Sequence, residues 1–320
     1  MRSFVHGGAA MAALMLGVLP FVASAQPYPF KPIRFVTSLP GGGTDYSARA
    51  ISTELAEVLG QPIVIENRGG GVNSGEIVAK ATPDGYTLLV TGTSFWVGPL
   101  FRKTPYDPLR DFAPVTLLVN SPNILVVNPS LLAKSVTELV DLAKGKPGML
   151  NYASASTGSS SHLAAELFKA MTHVNMVQIA YKGTSQSMID LIAGRVQLSF
   201  ATPSGAIPHV RAGRLRALAV TSARPSAVFP GLPTVSETVP GYVSGGGTAV
   251  LAPPQTPPAV IGRLHKEITA ILSRPRVQEQ YLKRGSEVVA NSPVELRAMM
   301  KEETDRITKL IKEAGIKTER

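Results

Sequence analysis

The chain has 320 residues, 44% of them hydrophobic and 17% charged, a balance that belongs to a folded globular protein and excludes a disordered or fibrous one. That length suits two domains of moderate size, each able to bury its own core. The formal charge is +10, but the basic residues are scattered, with no run of five and no interleaved aromatics, so nucleic acid is excluded as a partner and the excess reads as solubility with mild attraction for anions.

There is no cysteine, which excludes disulfides, thiol catalysis and lipidation after an export signal. The first 25 residues stand apart: Arg2 is their only charge, residues 7–22 are an apolar run, and Ala23-Ser24-Ala25 has the small residues of a cleavage site. The pattern predicts a signal peptide over residues 1–25, cut after Ala25; the run is short for a membrane anchor. Loss of Arg2 takes the charge from +10 to +9. An exported chain without an anchor stays with its cell only behind an outer barrier, so the expected compartment is the Gram-negative periplasm.

Residues 33–38 read as a buried strand that runs into the turn Leu39-Pro40-Gly41-Gly42-Gly43. A helix is expected from Thr44 or Asp45, with Ile51, Leu55, Val58 and Leu59 as its apolar face and Gly60 as its stop. A strand over 62–66, a glycine turn at 69–71, a short helix over 75–80 and a strand over 87–91 continue a parallel β-α-β rhythm. The middle of the chain repeats it. Ser135-Val136-Thr137-Glu138 is a capping box for a helix to Lys144. A strand over 150–153 follows, and Ser159-Ser160-Ser161 opens a helix through Met171. Strands over 177–180 and 197–200 flank a helix over 185–193, and residues 215–221 close the block. The end is helical, over 257–273, 277–284 and 293–314, the last burying Leu296, Met299, Met300, Ile307, Leu310 and Ile311. Segments 112–127 and 242–253 read as extended crossings between blocks. The expected architecture is α/β, with a discontinuous first domain from 26–124 and 226–320, a second inserted over 125–225, and a ligand cleft between them.

The chemistry of common enzymes is missing from the sequence. The four histidines beyond the signal, His162, His173, His209 and His265, form no metal-binding pattern, and no acidic cluster has ligand spacing. There is no P-loop and no nucleophile elbow. The run from Gly69 to Gly75 loosely fits a dinucleotide fingerprint, but it follows the second strand with no acidic partner for a ribose, and reads better as a tight packing turn. No catalytic residue, cofactor or metal is therefore assigned.

Two other loops carry more meaning. Pro40, Gly41, Gly42, Gly43, Thr44 and Asp45 join the first strand to its helix; the serine-rich run with Ser154, Ser156, Thr157, Ser159, Ser160 and Ser161 does the same in the inserted domain. Free N–H groups and the positive helix end make each suited to an anion, while ordinary capping accounts for the same residues singly. Asp45 reads better as a cap, since its charge would repel a carboxylate. The loop after the third strand, with Thr93, Ser94 and Trp96, leaves the carboxyl end of a parallel strand and is expected to face the crevice.

At these loops the sequence resembles the Bug family of periplasmic solute-binding proteins, the receptors of tripartite tricarboxylate transporters. The likeness runs from Tyr28 to the C-terminus, through strings such as LPGGGTDYSAR, LGQPIVIENRGG, PYDPLRDFAPVTLL and YKGTSQSMIDLIAGRVQLSF. The resemblance implies a two-domain periplasmic-binding-protein (Venus-flytrap) fold, type II-like, and a monomer that hands a small carboxylate to membrane transporter components. It also implies that the two loops hold that carboxylate, partly through water. The candidates are dicarboxylates, tricarboxylates and aromatic acids; a sensor feeding a signalling partner and a dinucleotide-dependent enzyme are the alternatives. Two departures from the family bear on the ligand. Ala201 and Thr202 stand where an acidic residue often meets an amine, and Gly245-Gly246-Gly247 stands where an aromatic pair is common. With Trp96 as an aromatic wall, the pocket is expected to be roomy and to favour an aromatic or extended carboxylate.

Overall fold

The computed structural model describes residues 28–38, 40, 43–68, 71–154, 159–181, 184–226, 228–314, 316 and 318. The expected signal peptide lies outside them, as do Gly41, Gly42, Ser156 and Thr157. Strand β1 (Ile33–Thr37), helix α1 (Gly43–Leu59), β2 (Ile63–Asn67), α2 (Gly71–Ala79) and β3 (Thr87–Gly92) follow the expected rhythm. Both β2 and β3 pair parallel with β1. The burial of α1 departs from its apolar pattern: Val58 is exposed, while Glu54 is buried and paired with Arg274 and Arg276. An ion pair with two partners offsets the desolvation of Glu54.

The loop expected over 92–96 instead leads into helix α3 (Ser94–Val97), which a 3-10 turn (Gly98–Leu100) follows. The first crossing divides into β4 (Ala113–Ser121), in the first sheet, and β5 (Ile124–Val127), in the second. The middle block is α4 (Val136–Gly145), β6 (Leu150–Ser154), α5 (Ser160–Thr172), β7 (Met176–Ala180), α6 (Thr184–Ile192), β8 (Leu198–Ala201), α7 (Pro203–Arg211) and β9 (Arg216–Val220). The chain returns as β10 (Gly246–Ala252) and ends with α8 (Pro258–Leu272), α9 (Pro275–Lys283), β11 (Glu287–Val288) and α10 (Pro293–Ala314). Helix α7 and the short β11 have no counterpart in the sequence reading.

The result is two mixed sheets. One has the order β11-β4-β10-β3-β1-β2, and the other β7-β6-β8-β5-β9. Each has a parallel half, as expected, and an antiparallel half built from the crossing strands. Helices cover both faces of each sheet, giving separate apolar cores. The two sheets are joined at 122–123 and at 221–245, so the carboxyl ends of β1, β3, β6 and β8 look toward the same space.

Trp96 corrects an expectation. Its indole is 1% exposed, in a core with Val36, Val97, Leu163 and Met300, and its Nε1–H donates to Glu303 of α10 at 2.9 Å. It is no aromatic wall. Once residues 94–97 coil into a helix, an indole with one polar atom gains more from an apolar core with a buried acceptor than from the crevice. Burial raises the Glu303 pKa above its ordinary 4.5, against the opposing pull of the Trp96 N–H and Arg306.

A buried acid with a raised pKa adds stability when protonated and loses it as pH rises through its folded value. Glu303→Gln keeps an acceptor for Trp96 and removes the ionisation cost. Thermal melts should therefore place the variant above the wild type at neutral pH, with the gain vanishing below the ordinary carboxylate value of 4.5. A loss that grows toward neutral pH contradicts this account.

Candidate functional site

The second sheet builds the better-defined half of the site. Helices α5, α6 and α7 follow β6, β7 and β8, and their first turns converge on a cavity of about 40 Å³. Its wall holds the hydroxyls of Ser159, Ser160, Ser161, Thr184, Ser187, Ser199 and Thr202, with Met188 and Ala201. Among the described residues the lining carries no Lys, Arg, Asp or Glu, and the helix N-termini and hydroxyls supply its polarity. A Cβ on Gly205 would come within 2.4 Å of Thr184 Cγ2, so the close approach of α6 and α7 requires that glycine.

Local bonds fix the serines. Ser159 is the N-cap of α5: its Oγ accepts the His162 N–H at 3.3 Å and lies 3.0 Å from Ser161 Oγ. Asn123, between the sheets, donates to the Ser160 carbonyl at 2.9 Å. Thr202 caps α7 by position, yet its side chain makes no cap bond there. Ser154 is buried and accepts from Gln178 Nε2 at 2.9 Å, so it ties β7 to β6 and is absent from the cavity wall. His162 is buried near Phe101, and desolvation lowers its pKa, which keeps it neutral.

The first sheet supplies the facing half. Thr44 Oγ1 lies 2.5 Å from Ser38 Oγ at the start of α1, Pro40 and Ser94 are exposed, and Thr93 accepts the Gly247 N–H at 2.9 Å. Strand β10 joins the halves. A Cβ on Gly246 would lie 3.5 Å from Ser160 Cβ; one on Gly92 would lie 3.4 Å from the Gly247 carbonyl and 3.6 Å from Thr44 Cγ2. Thr44, Thr93 and Ser160, distant in sequence, thus meet around Gly246 and Gly247. Asp45 is 4% exposed and accepts from Arg49 Nε at 3.0 Å and Asn67 Nδ2 at 2.7 Å, while Asn67 also donates to the Ser38 carbonyl at 2.6 Å. Its carboxylate anchors the loop from below.

A second groove, of about 610 Å³, runs between the far end of α5 and α10. Charges of both signs on its walls are already paired, as in Lys169–Glu166. It lies away from the helix N-termini. Among the described residues no group of acidic or histidine side chains could hold a metal ion, and no helix is long and apolar enough to cross a membrane.

Residues 47–316 match the family described as tripartite tricarboxylate transporter family receptor. The chain belongs to that family. BugT of Bordetella pertussis is 36% identical over 301 residues, covering 92% of each chain. A Rhodopseudomonas palustris protein solved with adipate superposes with a TM-score of 0.83 at 35% identity, over 91% of this chain and 99% of that one. MatC of the same organism, solved with bound malate, gives 0.78 at 30% identity, over 89% and 100%. The two-domain periplasmic-binding fold read from the sequence is that of the receptor family.

Sequence reasoning missed Asn123, Thr184, Ser187 and Ser199 of this receptor's cavity region. Asn123 stands in the connection between two strands and the others are single polar residues on a strand or helix, and only the packing of these elements sets them side by side. The glycines at 245–247 were a visible signal, though of open space and not of a contact between halves.

Asp45→Asn keeps the shape of the anchor but sets an amide against two donors. Its unfolding free energy should fall by about 1–3 kcal/mol, with ligand affinity within about twofold of wild type. Denaturant melts and calorimetry measure the two separately, and an affinity loss without a stability loss contradicts the anchoring role.

Proposed function

We propose that this protein is a periplasmic receptor that captures a small carboxylate between its two domains and delivers it, unchanged, to the membrane components of a tripartite tricarboxylate transporter. The observation that carries the reading is the convergence of α5, α6 and α7 on a hydroxyl-lined cavity. Backbone N–H groups and helix dipoles favour an anion there without a cation. A cavity of about 40 Å³ suits one carboxylate group or the water that bridges it, and leaves the rest of the ligand in the space between the sheets. Thr44, Ser159 and Ser160 are the contacts we assign, with Pro40, Gly41, Gly42, Gly43, Ser94, Ser156, Thr157 and Thr202 in the flanking loops; Asp45, Thr93 and Ser154 support them. Adipate and malate in the related structures favour this ligand class.

The domains we propose are residues 26–124 with 226–320, and residues 125–225, closing on the ligand through contacts to both. Removal of residues 1–25 on export completes the reading, and the intact mass of protein released by osmotic shock tests it: a chain starting at Gln26 is expected, and retained Met1 contradicts it.

A thermal-shift screen of small carboxylates should yield at least one that raises the melting temperature, because a ligand bound only by the folded state stabilises it. For that ligand, Thr44→Ala, Ser159→Ala and Ser160→Ala combined should weaken binding about thirtyfold, from three neutral hydrogen bonds of about 0.5–1.5 kcal/mol each. Mass spectrometry should recover the ligand intact. A screen without a hit, or an unaltered affinity in the triple variant, overturns the assignment.

A further inference from the structure

The loop between α9 and β11 lies at the rim of the space between the sheets. Glu287, where β11 begins, pairs with Asn120, and Ser286 Oγ lies 2.6 Å from Ser121 Oγ at the end of β4. There the chain leaves for the second sheet, so residues 284–286 border the crevice. Two contacts set this loop against the site from either side. Arg284 Cζ lies 4.2 Å from the centroid of Tyr46, in the first turn of α1 beside Thr44. Gly285, at a φ of +80°, backs onto α7: a Cβ there would fall 2.1 Å from Pro203 Cβ, and Pro203 follows Thr202 of the cavity wall. No other residue type fits that position, so the loop is held in place.

The Tyr46 ring is itself fixed. Its hydroxyl donates to the Gln280 carbonyl at 3.3 Å, and its ring meets Tyr281 edge-on at 5.9 Å. A guanidinium over an aromatic face is attracted by the ring quadrupole and keeps its N–H fork free. The basic neighbours of Arg284 are already engaged: Arg274 and Arg276 pair with Glu54, and Lys283 with Glu279. Arg284 is exposed, and among the described residues no carboxylate lies within ion-pair distance of it. Among the described residues the cavity wall is neutral, with room for one carboxylate. A ligand seated there extends into the crevice, where this cation waits on a rigid platform.

We infer that Arg284, held on the Tyr46 ring, is a specificity-determining residue that receives a second carboxylate of the ligand, so that the receptor selects linear dicarboxylates over monocarboxylates. The inference rests on the proposed function, which places the first carboxylate in the hydroxyl-lined cavity. A charge-assisted, bidentate contact at the rim gives the discrimination that a neutral cavity cannot.

Calorimetric titration with linear α,ω-dicarboxylates, and with monocarboxylates of the same chain length, tests it on the exported protein. The wild type should bind at least one dicarboxylate about tenfold tighter than its monocarboxylate counterpart. Arg284→Gln should abolish that preference by weakening the dicarboxylate alone, and Arg284→Lys should restore part of it. Added salt should weaken dicarboxylate binding to the wild type and leave Arg284→Gln unaffected. Because Arg284 is exposed, the melting temperatures should match, which separates recognition from folding. If Arg284→Gln weakens both series equally, or neither, this inference falls while the carboxylate receptor stands. A wild type that binds no member of either series also overturns the inference, and the wider carboxylate screen then decides the receptor reading on its own.

Discussion

Thr221 is wholly buried where the chain leaves the second sheet, and its hydroxyl accepts the Asn123 N–H at 2.7 Å while donating to the Ser244 carbonyl at 2.7 Å. The Thr221 N–H donates to the Asn123 carbonyl at 3.0 Å, and the Ser244 N–H returns to the Thr221 carbonyl at 2.9 Å. Two crossing segments inside protein must satisfy every backbone group they carry, since each unmet one costs about 1–3 kcal/mol. This knot is how they do so. It sets the outgoing and returning chains side by side, and the carboxyl ends of the parallel strands in both sheets then have to face one another. The serine-rich helix starts, the Thr44 loop and the Arg284 rim take their positions from that constraint.

Charge is distributed with the same economy. The carboxylates turned inward serve the framework: buried Glu54 binds α1 to α9 through two arginines, buried Asp45 holds the first loop, and half-buried Glu303 meets Trp96 under α10. Among the described residues the cavity wall has no charged side chain. A buried cation there would be costly whenever the site is empty, because its desolvation would go uncompensated. Helix N-termini and hydroxyls carry little of that penalty, and they still favour an anion when one arrives. Placing the cation at the rim, in contact with water, avoids the cost altogether.

Much of the architecture was legible in the chain itself. Apolar spacing in α1, α5 and α10, the Ser135 capping box and the glycine turns are local signals, and a helix or parallel strand responds to its own residues. The two loops at the starts of α1 and α5 could be found for the same reason, since a run of glycine, threonine or serine after a buried strand marks a free helix end. Family resemblance added the fold, through long strings and not through any single motif. Val58 and Trp96 show where local patterns fail. Val58 lies on the apolar spacing of α1 but is exposed, and Trp96 lies past a strand end yet folds back into the core.

Sequence alone determined the α/β rhythm, the absence of thiol chemistry, the family and the positions of the loops that open α1 and α5, because composition and near-neighbour spacing encode them. Tertiary structure alone decided which polar residues share a wall and which cation stands at the rim. Ser160 from α5, Thr184 and Ser187 from α6 and Ser199 from β8 share one wall, and Arg284 meets Tyr46 across 238 positions of chain. Such pairings depend on how helices and sheets pack over long range. A single sequence carries no periodic mark of a contact between elements so far apart.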